Sequence, residues 1–165
     1  MPRKVNGMKS LTLMGGMAAV MLVGLSAKAE LAGAIDAAVN ALTPAERIAL
    51  GTKLSLNDQT LFGGAISIRA YQAALFIAAS QDGKAVVKKI VLQCPSPKTP
   101  PMGDILHAYY TQKGKTTYGL GLEGEHIVFG EQFRLHVFER AVLVWRKEDR
   151  VVQAAVLTKP FRPAK

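Results

Sequence analysis

Cysteine is nearly missing from this chain: Cys94 is the only one. No disulfide can form within one molecule, so the fold must rest on packing rather than covalent staples. Acidic residues are missing from the start, the first being Glu30, while Arg3, Lys4 and Lys9 are basic. No apolar run reaches the ~20 residues of a comfortable spanning helix. Hydrolase signatures are also absent: there is no G-x-S-x-G, no S-x-x-K and no H-E-x-x-H. Nothing in the motifs therefore argues for catalysis, and no cofactor is expected.

The beginning carries the clearest signal. A basic start is followed by an apolar run over 11–25 and closes on Ala27-Lys28-Ala29, the small-x-small pattern of a signal peptidase site. Residues 1–29 are expected to be a secretory signal peptide cleaved after Ala29, with an uncleaved anchor as the competing reading. No cysteine follows the cleavage point for lipid attachment, and Arg3-Lys4 is a poor twin-arginine match. The expected compartment is the periplasm, or the exterior.

Removing the leader removes Arg3, Lys4, Lys9 and Lys28, so the formal surplus of +9 falls by four, to about +5. That is ordinary for a soluble domain and gives no case for nucleic acid. One domain is expected over 30–158, with a proline-rich connector at 94–103 and an irregular basic tail at 159–165.

Leu31, Ile35, Val39 and Leu42 recur at helical spacing. Thr43-Pro44-Ala45-Glu46 reads as a capping box opening a second helix, which ends near Gly51 and sends Ile48 and Leu54 inward. Ile66, Ile68 and Ala70 then alternate with polar neighbours. Residues 73–79 are apolar throughout, a buried strand or a helical turn. Asp82-Gly83 is a hairpin turn signal, which makes 75–92 a hairpin; a helix over 65–79 competes. A membrane span over 61–79 is disfavoured, because Arg69 in the bilayer costs roughly 2.5 kcal/mol or more. Beyond the prolines, strands are expected at 118–122, 126–129, 133–138, 141–145 and 151–157. The expected class is α+β, with N-terminal helices packed on a mainly antiparallel, strongly curled β-sheet.

Four groups of residues bear chemistry. Gly119-Leu120-Gly121-Leu122-Glu123-Gly124 matches the dinucleotide fingerprint by letter, but strand-like sequence follows where a helix is needed. Close backbone approach explains those glycines better. Cys94 with His107 is a candidate thiol or metal site, which His126, His136 and Met102 could join, although their spacing is long and irregular. Glu123, Glu125, Glu131 and Glu139 are carboxylates that could pair across strands for catalysis, but protection of sheet edges and turns is the commoner reason for them. Arg134, Arg140, Arg146, Lys147 and Arg150 lie beside Phe133, Phe138 and Trp145. Within that cluster Arg134, Phe138, Trp145 and Arg146 are the candidate binding residues. Arg134, His136 and Phe138 are expected on one face, which a solvated outer surface explains better than a binding site.

Three functional readings follow. The leading one is a non-catalytic exported binding protein that contacts an envelope protein partner or an anionic surface. The second is a thiol- or metal-dependent protein using Cys94 with a histidine. The third is a carrier of a small apolar ligand.

Overall fold

The computed structural model describes residues 15–92, 103–113 and 115–161, with side chains from residue 27 onward except that of Lys115. Helices α1 (Gly15–Asn40) and α2 (Pro44–Leu50) precede strands β1 (Gln59–Leu61), β2 (Ile66–Ala70), β3 (Ala74–Gln81) and β4 (Lys84–Val91). Helices α3 (Asp104–Lys113) and α4 (Lys115–Tyr118) then precede β5 (His126–Val128), β6 (Phe133–Val137), β7 (Ala141–Arg146) and β8 (Val152–Val156). The class is α+β. In place of one curled sheet there are two antiparallel four-stranded sheets, β1-β2-β3-β4 and β5-β6-β7-β8.

Strand alternation decides the layering. Ile66, Ile68, Ala70, Leu75 and Ile77 of the first sheet face Phe133, Leu135, Val137, Val142 and Val144 of the second. The intervening side chains point outward. Ala74, Phe76 and Ala78 meet Leu31 and Ile35 of α1, while Ala141 and Leu143 meet Leu106 and Tyr110 of α3. The order is helix, sheet, sheet, helix: each sheet has its inner face covered by the other and much of its outer face by a helix. This is why 73–79 reads as an unbroken apolar run: β3 is a central strand buried on both sides. Truncating a fully buried member such as Ile68 or Leu135 to alanine costs about 2–5 kcal/mol.

Several local expectations hold. Thr43 Oγ1 accepts from the Glu46 amide at 3.2 Å and the Thr43 amide donates to Glu46 Oε2 at 2.8 Å, with Pro44 opening the helix. Asp82 and Gly83 both take positive φ, 50° and 72°, between β3 and β4. Other expectations fail. Ile48 is 81% exposed because α2 ends at Leu50, which turns inward instead. The stretch 118–122 is not a strand: α4 ends at Tyr118, and Gly121 makes only an isolated bridge to Phe138. Residues 159–161 are irregular, with Phe161 buried against the core. Among the described residues no helix is long and apolar enough to cross a membrane.

The two halves repeat one another. The pairing of Gln59 with Ile68 recurs as His126 with Leu135, and that of Ile66 with Ala79 recurs as Phe133 with Arg146. The Leu54 amide donates to the Ala70 carbonyl, and the Leu122 amide to that of Val137, both at 2.8 Å. The Tyr71 amide donates to Ala74 and the Phe138 amide to Ala141, again both at 2.8 Å. Phe62 and Phe129 hold matching left-handed backbones, φ 53° and 54°, each followed by a positive-φ glycine, Gly63 and Gly130. Such a conformation is costly for an aromatic residue, and it recurs at equivalent places. The described residues thus form a structural tandem of one unit, two helices followed by four strands.

Candidate functional site

The repeat shows where the halves diverge. In the first half, α1 packs across β2, β3 and β4. Beneath it Arg69 is buried, its Nε and Nη2 donating to Asp58 at 2.7 and 2.8 Å and its Nη1 pairing with Asp36 of α1 at 2.7 Å. These carboxylates raise the guanidinium pKa above its already high ordinary value, against the opposing effect of burial. In the second half the helix is shorter, and α3 packs mainly on β7 and β8. The outer face of β6, nearer the sheet edge, is therefore less covered.

Register identifies Glu125 as the counterpart of Asp58 and His136 as that of Arg69. The acid is retained, but its cationic partner stands two residues earlier on the strand. Glu125 Oε2 accepts from Arg134 Nη1 at 3.3 Å. His136 is left fully buried, with neither ring nitrogen hydrogen-bonded within the protein and its ring 5.0 Å from that of Phe138. Burial first, and His126 second, pull its pKa down to about 4.

Arg134 and Trp145 are cross-strand partners, the guanidinium carbon 5.3 Å from the indole centroid. The row across the outer face reads Ile127, Arg134, Trp145, Val152. A groove of about 250 Å³ opens there between Gly103 with the first turn of α3 (Asp104, Ile105, Leu106) and Glu125, Arg134 and Trp145. Arg134 Nε and Trp145 Nε1 are both shielded from solvent, and neither has a hydrogen-bond partner in the protein. An indole N–H and a guanidinium N–H are donors only, so both stay unmatched behind the groove lining unless a ligand opens that lining and accepts from them. Exposed Ile105 and Ile127 flank it.

The four residues singled out from sequence therefore separate. Arg134 and Trp145 meet, as the alternation implies. Phe138 does lie on the face of Arg134, but it is fully buried and stacks on Tyr110 of α3 at 4.7 Å, so it can touch no ligand. Arg146 lies on the opposite face, over the Phe62 ring at 4.7 Å and paired with Asp149. A solvated outer surface is also corrected, since α3 covers much of it.

The remaining candidates do not assemble. Cys94 and Met102 lie outside the described residues. His107 is exposed on α3, and His126 bonds Glu123 at 3.0 Å. Among the described residues no three His, Cys, Asp or Glu side chains gather as a metal site requires. Glu131 pairs with Lys147, and Glu139 accepts from the Leu120 amide, so these carboxylates take separate partners. The GxGxxG letters follow a helix and precede β5, the reverse of the dinucleotide arrangement. Gly119 instead has φ +78°, and a Cβ there would lie 2.8 Å from Glu139 Cβ. The groove beside α3, which sequence alone does not reveal, depends on a helix that the alternation pattern did not predict. Compared with protein-family models, curated proteins and solved structures, the chain matches none.

Proposed function

We propose that this is an exported, periplasmic binding protein without catalysis of its own, which holds a segment of a partner polypeptide in the groove beside Arg134 and Trp145. The observation that carries this reading is the pair of shielded, unmatched donors, Arg134 Nε and Trp145 Nε1, on cross-strand partners that line the groove, which a seated segment would have to part in order to reach them. A buried donor left unpaired costs about 1–3 kcal/mol, and the carbonyls of a peptide are suitable acceptors. Ile105 and Ile127 offer apolar contact for its side chains.

Charge favours a polypeptide over an anionic surface. Glu125 already pairs with Arg134, and Asp104 stands on the rim, so the groove holds two acids and one base. The sheet edges point the same way. β4 is an open edge guarded by exposed Lys84, Lys88 and Lys89, whereas β5, open on its outer side, carries no lysine. Lysines on an edge deter strand addition, and their absence beside the groove permits it.

Export draws support from the helix register. Ala29 and Glu30 are exposed, and the core contacts of α1 include Leu31 immediately afterwards. Cleavage after Ala29 keeps Leu31 and Ile35 and leaves acidic Glu30 at the helix start, where the dipole favours it.

Site-specific photo-crosslinking in producing cells tests the proposal. A crosslinker at Ile105 should give a discrete adduct that Arg134→Glu abolishes, while one at Lys88 gives none. Identical adducts from both positions, or an Ile105 adduct indifferent to Arg134→Glu, would refute it.

A further inference from the structure

A second cleft, of about 500 Å³, opens between the two sheets and is lined by Ala65, Ser80, Gln132, Phe133, Arg146, Lys147 and Glu148. Its lining contains both members of two equivalent pairs, Ala65 with Gln132 and Ser80 with Lys147, by the register that equates Ile66 with Phe133 and Ala79 with Arg146. The cleft therefore lies where equivalent positions of the two halves meet. The repeated unit has diverged there in one direction. The first half contributes small side chains, and the second contributes an amide, a guanidinium and an ammonium.

We infer that this cleft binds a small monoanionic amphiphile, a carboxylate with an unbranched apolar body. The floor suits the apolar body: the buried Phe133 ring lies 5.9 Å from that of Phe62 and 6.3 Å from that of Phe129. Ala65 leaves room above it. The head meets Lys147 and the Gln132 amide. The Lys147 side chain is 62% exposed and its pair with the exposed Glu131 is long, 3.6 Å, so a ligand carboxylate can compete with Glu131 for the ammonium. Arg146 is held by Asp149 and lies over Phe62, which makes it wall rather than ligand. Glu148 on the rim opposes a second negative charge and selects a monoanion over a phosphate monoester. The volume falls within the ~300–1,000 Å³ of pockets that enclose small molecules. This site is separate from the groove beside α3 and stands whether or not that groove binds a polypeptide.

Calorimetric titration of the mature protein with decanoate, and with decanol as the uncharged body, tests it. Decanoate should bind saturably at one site and more tightly than decanol. Lys147→Ala should weaken decanoate by about fivefold and leave decanol unchanged, as a single rim charge dictates. Ala65→Trp should abolish both. Should that variant fail to fold by circular dichroism, Ser80→Trp, at an exposed position, makes the same obstruction. No saturable heat, decanol binding as tightly as decanoate, or unchanged binding in the folded tryptophan variant would overturn the inference.

Discussion

Arg69 and His136 occupy the same place in the two halves of this protein, yet Arg69 is paired with Asp36 and Asp58 whereas the His136 imidazole is hydrogen-bonded to nothing within the protein. One position thus serves as an ionic tie between sheet and helix in the first unit and as a buried, neutral ring in the second. The consequences for stability differ in kind.

Arg69→Met removes the guanidinium that binds both oxygens of Asp58, a side chain only 9% exposed, and leaves it Lys53 at 3.7 Å. Breaking a buried pair from one side leaves a charge that the distant, part-exposed Lys53 only partly compensates, and the expected loss is about 3 kcal/mol. Asp36→Asn, at a side chain 60% exposed, should cost under about 1 kcal/mol. Urea unfolding at pH 7 measures both. Equal, small losses would contradict the assignment.

His136 should make the fold acid-sensitive. Its folded pKa of about 4 lies below the ordinary value of 6.5, so the unfolded chain takes up the proton first. The contribution is complete above pH 6.5, is lost as pH falls toward 4, and amounts to roughly 2–3 kcal/mol. His136→Leu should be at least as stable as the parent at pH 7, because it removes an unpaired polar ring. It should also show a flatter loss between pH 6.5 and 4, followed by urea midpoints across that window. A parallel pH dependence in the two proteins would refute the role.

Gly51 and Gly119 are equivalent helix-ending residues at φ +72° and +78°. A Cβ on either one meets the side chain of the residue that binds back to the next amide, Gln72 or Glu139. Alanine should cost about 1–2 kcal/mol at each position, read from the thermal midpoint. Gly33, where a Cβ meets nothing within 4 Å, is the control and should tolerate alanine.

Export makes a separate prediction. Protein recovered from the periplasmic fraction should begin at Glu30 by amino-terminal sequencing. Recovery with Met1 or Pro2 at the amino end would remove export from the account.

Legibility in the sequence followed the range of the interactions. The capping box at Thr43–Glu46 and the Asp82-Gly83 turn are specified by neighbours and could be read directly. The helix α3 could not, because only Leu106 and Tyr110 of its residues are buried and the rest are partly or fully exposed. Missing it hid what covers the outer face of the second sheet. Alternation correctly put Arg134 and Phe138 on one face, but it carries no information about what lies over that face. The tandem also escaped notice: across 61–80 and 128–147 the halves are identical only at Phe62/Phe129, Gly63/Gly130 and Ala74/Ala141. A β-unit needs the pattern of inward apolar positions, which Ile66/Phe133 and Ile68/Leu135 preserve without identity.

Trp145 is the only tryptophan in the chain and lies in the proposed groove, so its emission reports occupancy without a label. Titrating the mature protein with the partner segment recovered by crosslinking should shift that emission saturably. Arg134→Ala should weaken the apparent affinity by tenfold or more, on the order of the ~1.4 kcal/mol that one charge-assisted hydrogen bond supplies. Saturable binding of the same segment with no change in Trp145 emission, or with the same affinity in the Arg134→Ala protein, would place the contact elsewhere and contradict the account.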